Sequence, residues 1–191
     1  AGVAGALMYE RLSDGIFFEA GGTSTDISAI KNGRVMIKYA QVGGHKTYLN
    51  SLDVRTLGMA GGSMIKVENG RITDVGPRSA HIAGKRYEAF AKACEIIEPA
   101  VRLIAPKEND EANFAVIECS NGKSFSLTLA GAANIIGAVP AGDYAEADMQ
   151  AVRTAWEAFA EYLGISVEEA AGRVMEIAAG KVRAIVEELI K

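Results

Sequence analysis

Phe17-Phe18-Glu19-Ala20-Gly21-Gly22-Thr23-Ser24-Thr25-Asp26-Ile27-Ser28 is the stretch around which the chain is organised. An apolar run, Ile16 to Phe18, leads into an acid, a glycine pair, a run of hydroxyl residues and a second acid, after which Ile27 opens another strand-like segment. The pattern predicts a strand, a tight polar turn and a returning strand. Adjacent glycines let the backbone approach a ligand or adopt φ > 0, and successive N–H groups in such a turn can face a phosphate or carboxylate. Thr23, Ser24 and Thr25 add donors, and Glu19 and Asp26 have the chemistry to hold a divalent cation or orient water. The plainer alternative is a hairpin whose turn merely contains glycine and threonine, as many short glycine motifs do.

Upstream, Val3, Leu7, Met8 and Leu12 recur at helical spacing, which predicts a helix over residues 3–13 ended by Ser13-Asp14-Gly15. Downstream, Lys31-Asn32-Gly33 predicts a hairpin between segments 26–30 and 34–39, because Asn-Gly tolerates φ > 0 at both turn positions. Gly43-Gly44-His45 reads as a flexible corner and Leu49 to Asp53 as a loop, with His45 an ordinary loop histidine. Val54 to Ser63 is a second glycine-rich segment. Its Gly61, Gly62 and Ser63 form a second candidate ligand loop, against the alternative of a glycine crossover needed only for packing.

A further hairpin is predicted over residues 65–67 and 71–75, closed by Glu68-Asn69-Gly70 and ended by Gly76-Pro77. Arg78 and His81 then read as exposed turn residues. Tyr87, Phe90, Ala91 and Cys94 fall in helical register, so a short amphipathic helix is expected over residues 85–93. Strands are expected over residues 114–117 and 124–129, followed by a helical turn over 130–136 in which Asn134 is either a ligand or a cap. From Tyr144 onward the pattern turns helical. Met149, Val152, Trp156, Phe159 and Leu163 give one apolar face, Gly164 stops it, and Ser166-Val167-Glu168-Glu169 supplies a capping box for the next helix. The chain therefore divides into an α/β part, residues 1–143, and a helical C-terminal subdomain, residues 144–191.

The chain's 191 residues and 20.1 kDa suffice for one substantial core. Its 24 acidic against 20 basic residues and net charge of −4 argue against a nucleic-acid surface. Cys94 and Cys119 have neither metal-site spacing nor the density of a disulfide scaffold, which suits reduced thiols and a cytoplasmic protein. A signal peptide and an apolar run long enough to span a bilayer are both missing from the sequence. Ala1 to Ala6 begins without methionine, as though in mid-element, which suggests a piece of a longer protein.

The acid-flanked turn resembles the second phosphate-binding hairpin of the actin-like ATPases. More closely, Glu19-Ala20-Gly21-Gly22-Thr23-Ser24-Thr25-Asp26 resembles the Asp-Met-Gly-Gly-Thr-Ser-Thr-Asp of the hydantoinase/oxoprolinase family, which includes acetone and acetophenone carboxylase subunits. Asp53 to Met64 is similar to that family's Asp-Val-x-x-Ile-Gly-Ala-Gly-Gly-Gly-Ser-Ile, with Ala60 in place of one glycine, and Val75 to Ala80 to its Val-Gly-Pro-x-Ser-Ala. Glu19 is one methylene longer than the family's aspartate.

The resemblance implies an actin-like ATPase (ribonuclease H-like) fragment with a hairpin-rich mixed sheet, serving an enzyme that uses ATP and Mg²⁺ to activate a carbonyl or amide oxygen. Gly21, Gly22, Thr23, Ser24, Gly61, Gly62 and Ser63 would then contact the nucleotide, and Asp26 with Glu19 would act through the metal or orient the attacking group. A cyclic amide such as hydantoin or 5-oxoproline, or a ketone, would be the substrate. Further lobes and a second subunit would be the partners. A noncatalytic assembly domain is the alternative from a different class; a sugar-kinase relative is disfavoured by the later motifs.

Overall fold

The computed structural model describes residues 2–10, 13–42 and 45–191. Helix α1 (Gly2–Glu10) precedes β1 (Gly15–Ala20) and β2 (Thr25–Lys31), which pair antiparallel with Glu19 opposite Asp26 and Ala20 opposite Thr25. Asn32 and Gly33 take φ of 52° and 69°, so the Asn-Gly turn forms as expected and returns the chain into β3 (Arg34–Val35). That second hairpin is shorter than the sequence suggests. From Ile37 the chain leaves β2 and pairs instead as β4 (Ile37–Val42) with β5 (His45–Leu52) in a separate two-stranded ribbon.

The predicted loop over 49–53 is thus largely strand. Thr47 and Tyr48 favour the pleat, and the ladder to β4 overrides the weak local signal. The expected corner at Gly43-Gly44 lies outside the described residues. Strand β6 (Val54–Leu57) then pairs with β2 along Thr25 to Ser28, so the front of the second glycine-rich segment is sheet, not loop.

A six-stranded mixed sheet follows. Its strands are β7 (Ser63–Glu68), β8 (Arg71–Ser79), β9 (Arg86–Tyr87), β10 (Ala100–Ile104), β11 (Phe114–Glu118) and β12 (Ser124–Ser126). The β7–β8 turn again has positive φ at Asn69 (51°) and Gly70 (70°). All pairings are antiparallel except β12 with β9. The helix expected over 85–93 is absent. Strand β9 runs instead into two single 3₁₀ turns, Glu88–Phe90 and Ala93–Glu95.

Helix α2 (Leu129–Ile135) starts at Thr128, whose Oγ1 accepts from Gly131 N. Helix α3 (Met149–Leu163) is capped by Asp148, which accepts from Gln150 N and Ala151 N, and ends at Gly164 in the left-handed region, φ 69°. Ser166 caps α4 (Val167–Leu189) by accepting from Glu169 N, as the capping-box pattern predicts.

Trp156 and Phe159 of α3 and Val174 of α4 are buried in one apolar cluster with Val67, Ile117, Phe125 and Leu127 of the sheet region. Fully burying side chains of this size contributes on the order of 2–3 kcal/mol each, which fixes the helices to the sheet. Lys181 Nζ adds a tie from α4 to β8 through Asp74 (2.5 Å) and the Val75 carbonyl (2.8 Å). The cysteines are both free, Cys94 exposed and Cys119 buried. No described helix is long and apolar enough to cross a membrane.

Candidate functional site

The β1–β2 turn is open. Gly21 N donates to Ser24 O (2.9 Å), but among the described residues the amides of Gly22, Thr23 and Ser24 donate to no protein acceptor. Gly21 and Gly22 are exposed, and Thr23 and Ser24 half-buried. Thr25 is different: its Oγ1 donates to Met59 O (2.7 Å) and is buried, so it fastens the turn to the second glycine-rich loop.

That second loop is built for close approach. Ala60 N donates to Ser63 Oγ (2.9 Å), Ser63 N donates to Ala60 O (2.9 Å), and Ala130 N and Ala80 N donate to the carbonyls of Gly61 and Gly62. Ser63 is fully buried and its hydroxyl closes the loop on itself. Gly61 is exposed, whereas Gly62 is buried. A Cβ on Gly62 would collide with Tyr87 Oη and stand 2.8 Å from the Gly22 carbonyl oxygen. The two glycine loops singled out in the sequence therefore meet, with the Tyr87 phenol wedged at their junction. Burial, and after it the neighbouring Glu88 charge, pushes the Tyr87 phenol up, so it remains an O–H donor.

Glu19 and Asp26 face each other across the hairpin, on the same face of the ribbon by the pairing rule. Asp26 Oδ1 accepts from Thr56 Oγ1 on β6 (2.6 Å). The Glu19 carboxylate lies against Gly2, where a Cβ would collide with Glu19 Oε2. It thus rests against the Gly2 end of α1. Among the described residues, no group of three or more His, Cys, Asp or Glu side chains is arranged to hold a metal. Like charges directly opposite on a ribbon repel, so a cation at this pair would have to complete its shell with ligand or water oxygens.

Gly22 and Thr23 form one wall of an open cleft of about 470 Å³. The other wall is His81, Lys85, Arg86, Tyr87 and Phe90, none of which the sequence marks as a binding group. Tyr87 and Phe90 are stacked with ring centroids 5.4 Å apart, and Phe90 is half exposed. Among the described residues no carboxylate lines the cleft. The adjacent basic pair Lys85-Arg86 is the one local signal that hinted at it.

Behind this wall Glu88 is completely buried. Its Oε1 accepts from Thr128 N (3.0 Å) and Trp156 Nε1 (3.0 Å), and its Oε2 accepts from Thr128 Oγ1 (2.9 Å). Desolvation pushes its carboxyl up to about 7 against the pull of these donors. The network pins the cleft-forming turn to the starts of α2 and the middle of α3.

Other candidates have structural partners. Asn134 Nδ2 donates to the carbonyls of Ala130 and Ala145 (2.9 Å each) and its Oδ1 accepts from Ala147 N (3.0 Å). Arg78 forms a bidentate pair with Asp110 (2.7 Å for both bonds). Burial pushes the Asp53 carboxyl up, but hydrogen bonds from Lys38 and Arg55 outweigh it and hold the group low. His45 is exposed at the start of β5.

Fold and site thus define an α/β protein with a glycine-rich hairpin turn, three of whose amides have no acceptor among the described residues, beside a cleft carrying positive charge. The sequence profile of the Hydantoinase/oxoprolinase family matches residues 1–191, and the chain belongs to that family. Among solved structures, it is similar to nucleotide-free acetone carboxylase, from work on the mechanism of ATP-dependent acetone carboxylation. The similarity has 22% identity and a TM-score of 0.64, and covers 99% of this chain and 24% of that one. The chain therefore spans about a quarter of the length of that solved relative. No curated protein sequence matches it.

Proposed function

We propose that this chain is the phosphate-binding portion of a larger cytoplasmic, ATP-dependent enzyme with an actin-like, ribonuclease H-like core. The observation that carries the reading is the turn itself: among the described residues the amides of Gly22, Thr23 and Ser24 have no protein acceptor, and the turn borders a cleft that no described carboxylate lines. Such a nest of amides suits an anionic phosphate tail. Gly21 to Ser24 would hold the tail, with Gly61 approaching from the second loop; Gly62 and Ser63 shape that loop. Asp26 would hold Mg²⁺ together with phosphate oxygens, and Glu19 would join only by leaving the first turn of α1. When bound, the metal supplies neutralisation of phosphate charge.

For the whole enzyme the family membership supports ATP-driven activation of a carbonyl or amide oxygen, followed by attack of water and opening of a cyclic amide such as hydantoin or 5-oxoproline. A second reading, a ketone carboxylase subunit, is favoured by the similarity to acetone carboxylase. Both require further lobes, and a partner subunit in the second.

Calorimetric titration with Mg-ADP and Mg-ATP tests the proposal. Wild-type protein is expected to bind, and Asp26→Asn, which keeps an acceptor for Thr56 Oγ1, is expected to lose binding while remaining folded. Absence of nucleotide binding, together with stable association through the helical end, would establish an assembly role instead.

A further inference from the structure

The cleft beside the hairpin turn has a wall whose charge no motif assigns. Arg86 is spent: its guanidinium makes a bidentate pair with Glu95 (2.7 and 3.1 Å) and lies 5.2 Å from the centroid of the Phe125 ring. Hydrogen bonds from Arg86 and then Lys123 hold the Glu95 carboxyl far below its usual range, so this acid is a fixed counter-ion. Lys85 is not spent. Its Nζ donates only to the neutral Ser124 Oγ (3.1 Å), and among the described residues it has no carboxylate partner. It is half-buried and lines the same cleft as Gly22 and Thr23, with His81 beside it.

A half-buried ammonium without a counter-ion is costly unless an anion joins it. The opposite wall is Gly22 and Thr23, whose amides have no acceptor among the described residues and, with the Thr23 hydroxyl, are donors suited to an oxyanion. We infer that the cleft between the β1–β2 turn and the 81–90 segment is an oxyanion site in which Lys85 is the ligand-binding cation. It takes a phosphate group or the carboxylate of a small acid. Insofar as the oxyanion is a nucleotide's phosphate, the inference rests on the proposed function above. The Tyr87 and Phe90 rings, stacked on each other, add apolar surface to the same cleft.

The experiment titrates this chain with inorganic pyrophosphate, with 5-oxoproline as a cyclic amide bearing a carboxylate, and with Mg-ADP. The proteins are wild type, Lys85→Gln, Lys85→Arg and Lys107→Gln, the last removing the same charge from an exposed loop. Loss of one charge-assisted hydrogen bond predicts at least about tenfold weaker oxyanion binding in Lys85→Gln. Lys85→Arg should recover most of it and Lys107→Gln should match wild type. Lys85-dependent binding of pyrophosphate alone identifies a phosphate site, and of 5-oxoproline alone a carboxylate site; either supports the inference.

Equal affinities in Lys85→Gln and Lys107→Gln, or no oxyanion binding by folded wild type, overturn it. Mg-ADP binding lost in Asp26→Asn but unchanged in Lys85→Gln, with neither pyrophosphate nor 5-oxoproline binding dependent on Lys85, overturns this inference and leaves the nucleotide reading standing. Lys85-dependent pyrophosphate binding without any Mg-ADP binding does the reverse.

Discussion

Gly62→Ala is the substitution that most sharply tests how the two glycine loops are joined. The new methyl group would collide with the Tyr87 phenol and lie 2.8 Å from the Gly22 carbonyl oxygen, which belongs to backbone and cannot rotate away. Gly61→Ala, one residue earlier, meets nothing nearer than Ala130 Cβ at 3.7 Å, an ordinary contact. Overpacking of this kind costs about 1–3 kcal/mol. In a chain of this size each kcal/mol lowers Tm by about 2–4 °C. Thermal and urea unfolding should therefore place Gly62→Ala clearly below wild type and Gly61→Ala within about 0.5 kcal/mol of it.

A double-mutant cycle identifies the obstacle. With Tyr87→Ala the phenol is gone, so adding Gly62→Ala should cost less than it does in wild type, by at least about 0.5 kcal/mol. Some cost must remain because the Gly22 carbonyl is still there. If Gly62→Ala is as stable as Gly61→Ala, or if the two substitutions are strictly additive, the junction is not built as described.

Two further expectations follow from buried or capping acids. Burial raises the Glu88 carboxyl to about 7 in the folded protein, so between roughly pH 5 and 7 the folded state keeps a proton that the unfolded chain has released. Stability should fall as pH rises through that window, by up to on the order of 3 kcal/mol. Glu88→Gln should flatten that fall in a pH series of urea midpoints; a slope equal to wild type would show that Glu88 is not its source. Asp148 accepts from Ala93 N (3.0 Å) as well as from Gln150 N and Ala151 N, joining the α3 cap to the second 3₁₀ turn. Asp148→Ala should cost about 1–2 kcal/mol, with faster amide exchange at Ala93; unchanged exchange there would contradict the joint.

Much of this architecture is legible in the sequence because its signals are local. Asn32-Gly33 and Asn69-Gly70 sit in turns whose φ values demand such residues, and Asp148, Gly164 and Ser166 bound the helices where capping rules place them. The acid-flanked turn is similarly readable. What was not legible depends on partners distant in sequence. Tyr87, Phe90, Ala91 and Cys94 suggested an α-helix, but their three-residue spacing also suits 3₁₀ turns. Glu88 is drawn inward by Trp156, 68 positions away. Lys85 and His81 line one cleft with Gly22 and Thr23 through tertiary packing, and no periodicity carries that information. Ser63 looks in sequence like a ligand hydroxyl, yet it folds back on Ala60.

Backbone amide NMR during titration with Mg-ADP tests, residue by residue, the proposal that the Gly21-to-Ser24 turn receives the phosphates of a nucleotide. The largest saturable shifts are expected at Gly22, Thr23 and Ser24, with a smaller set at Gly61, and all are expected to be lost in Asp26→Asn. Saturable binding with shifts confined to other surfaces, leaving those amides unmoved, would contradict it.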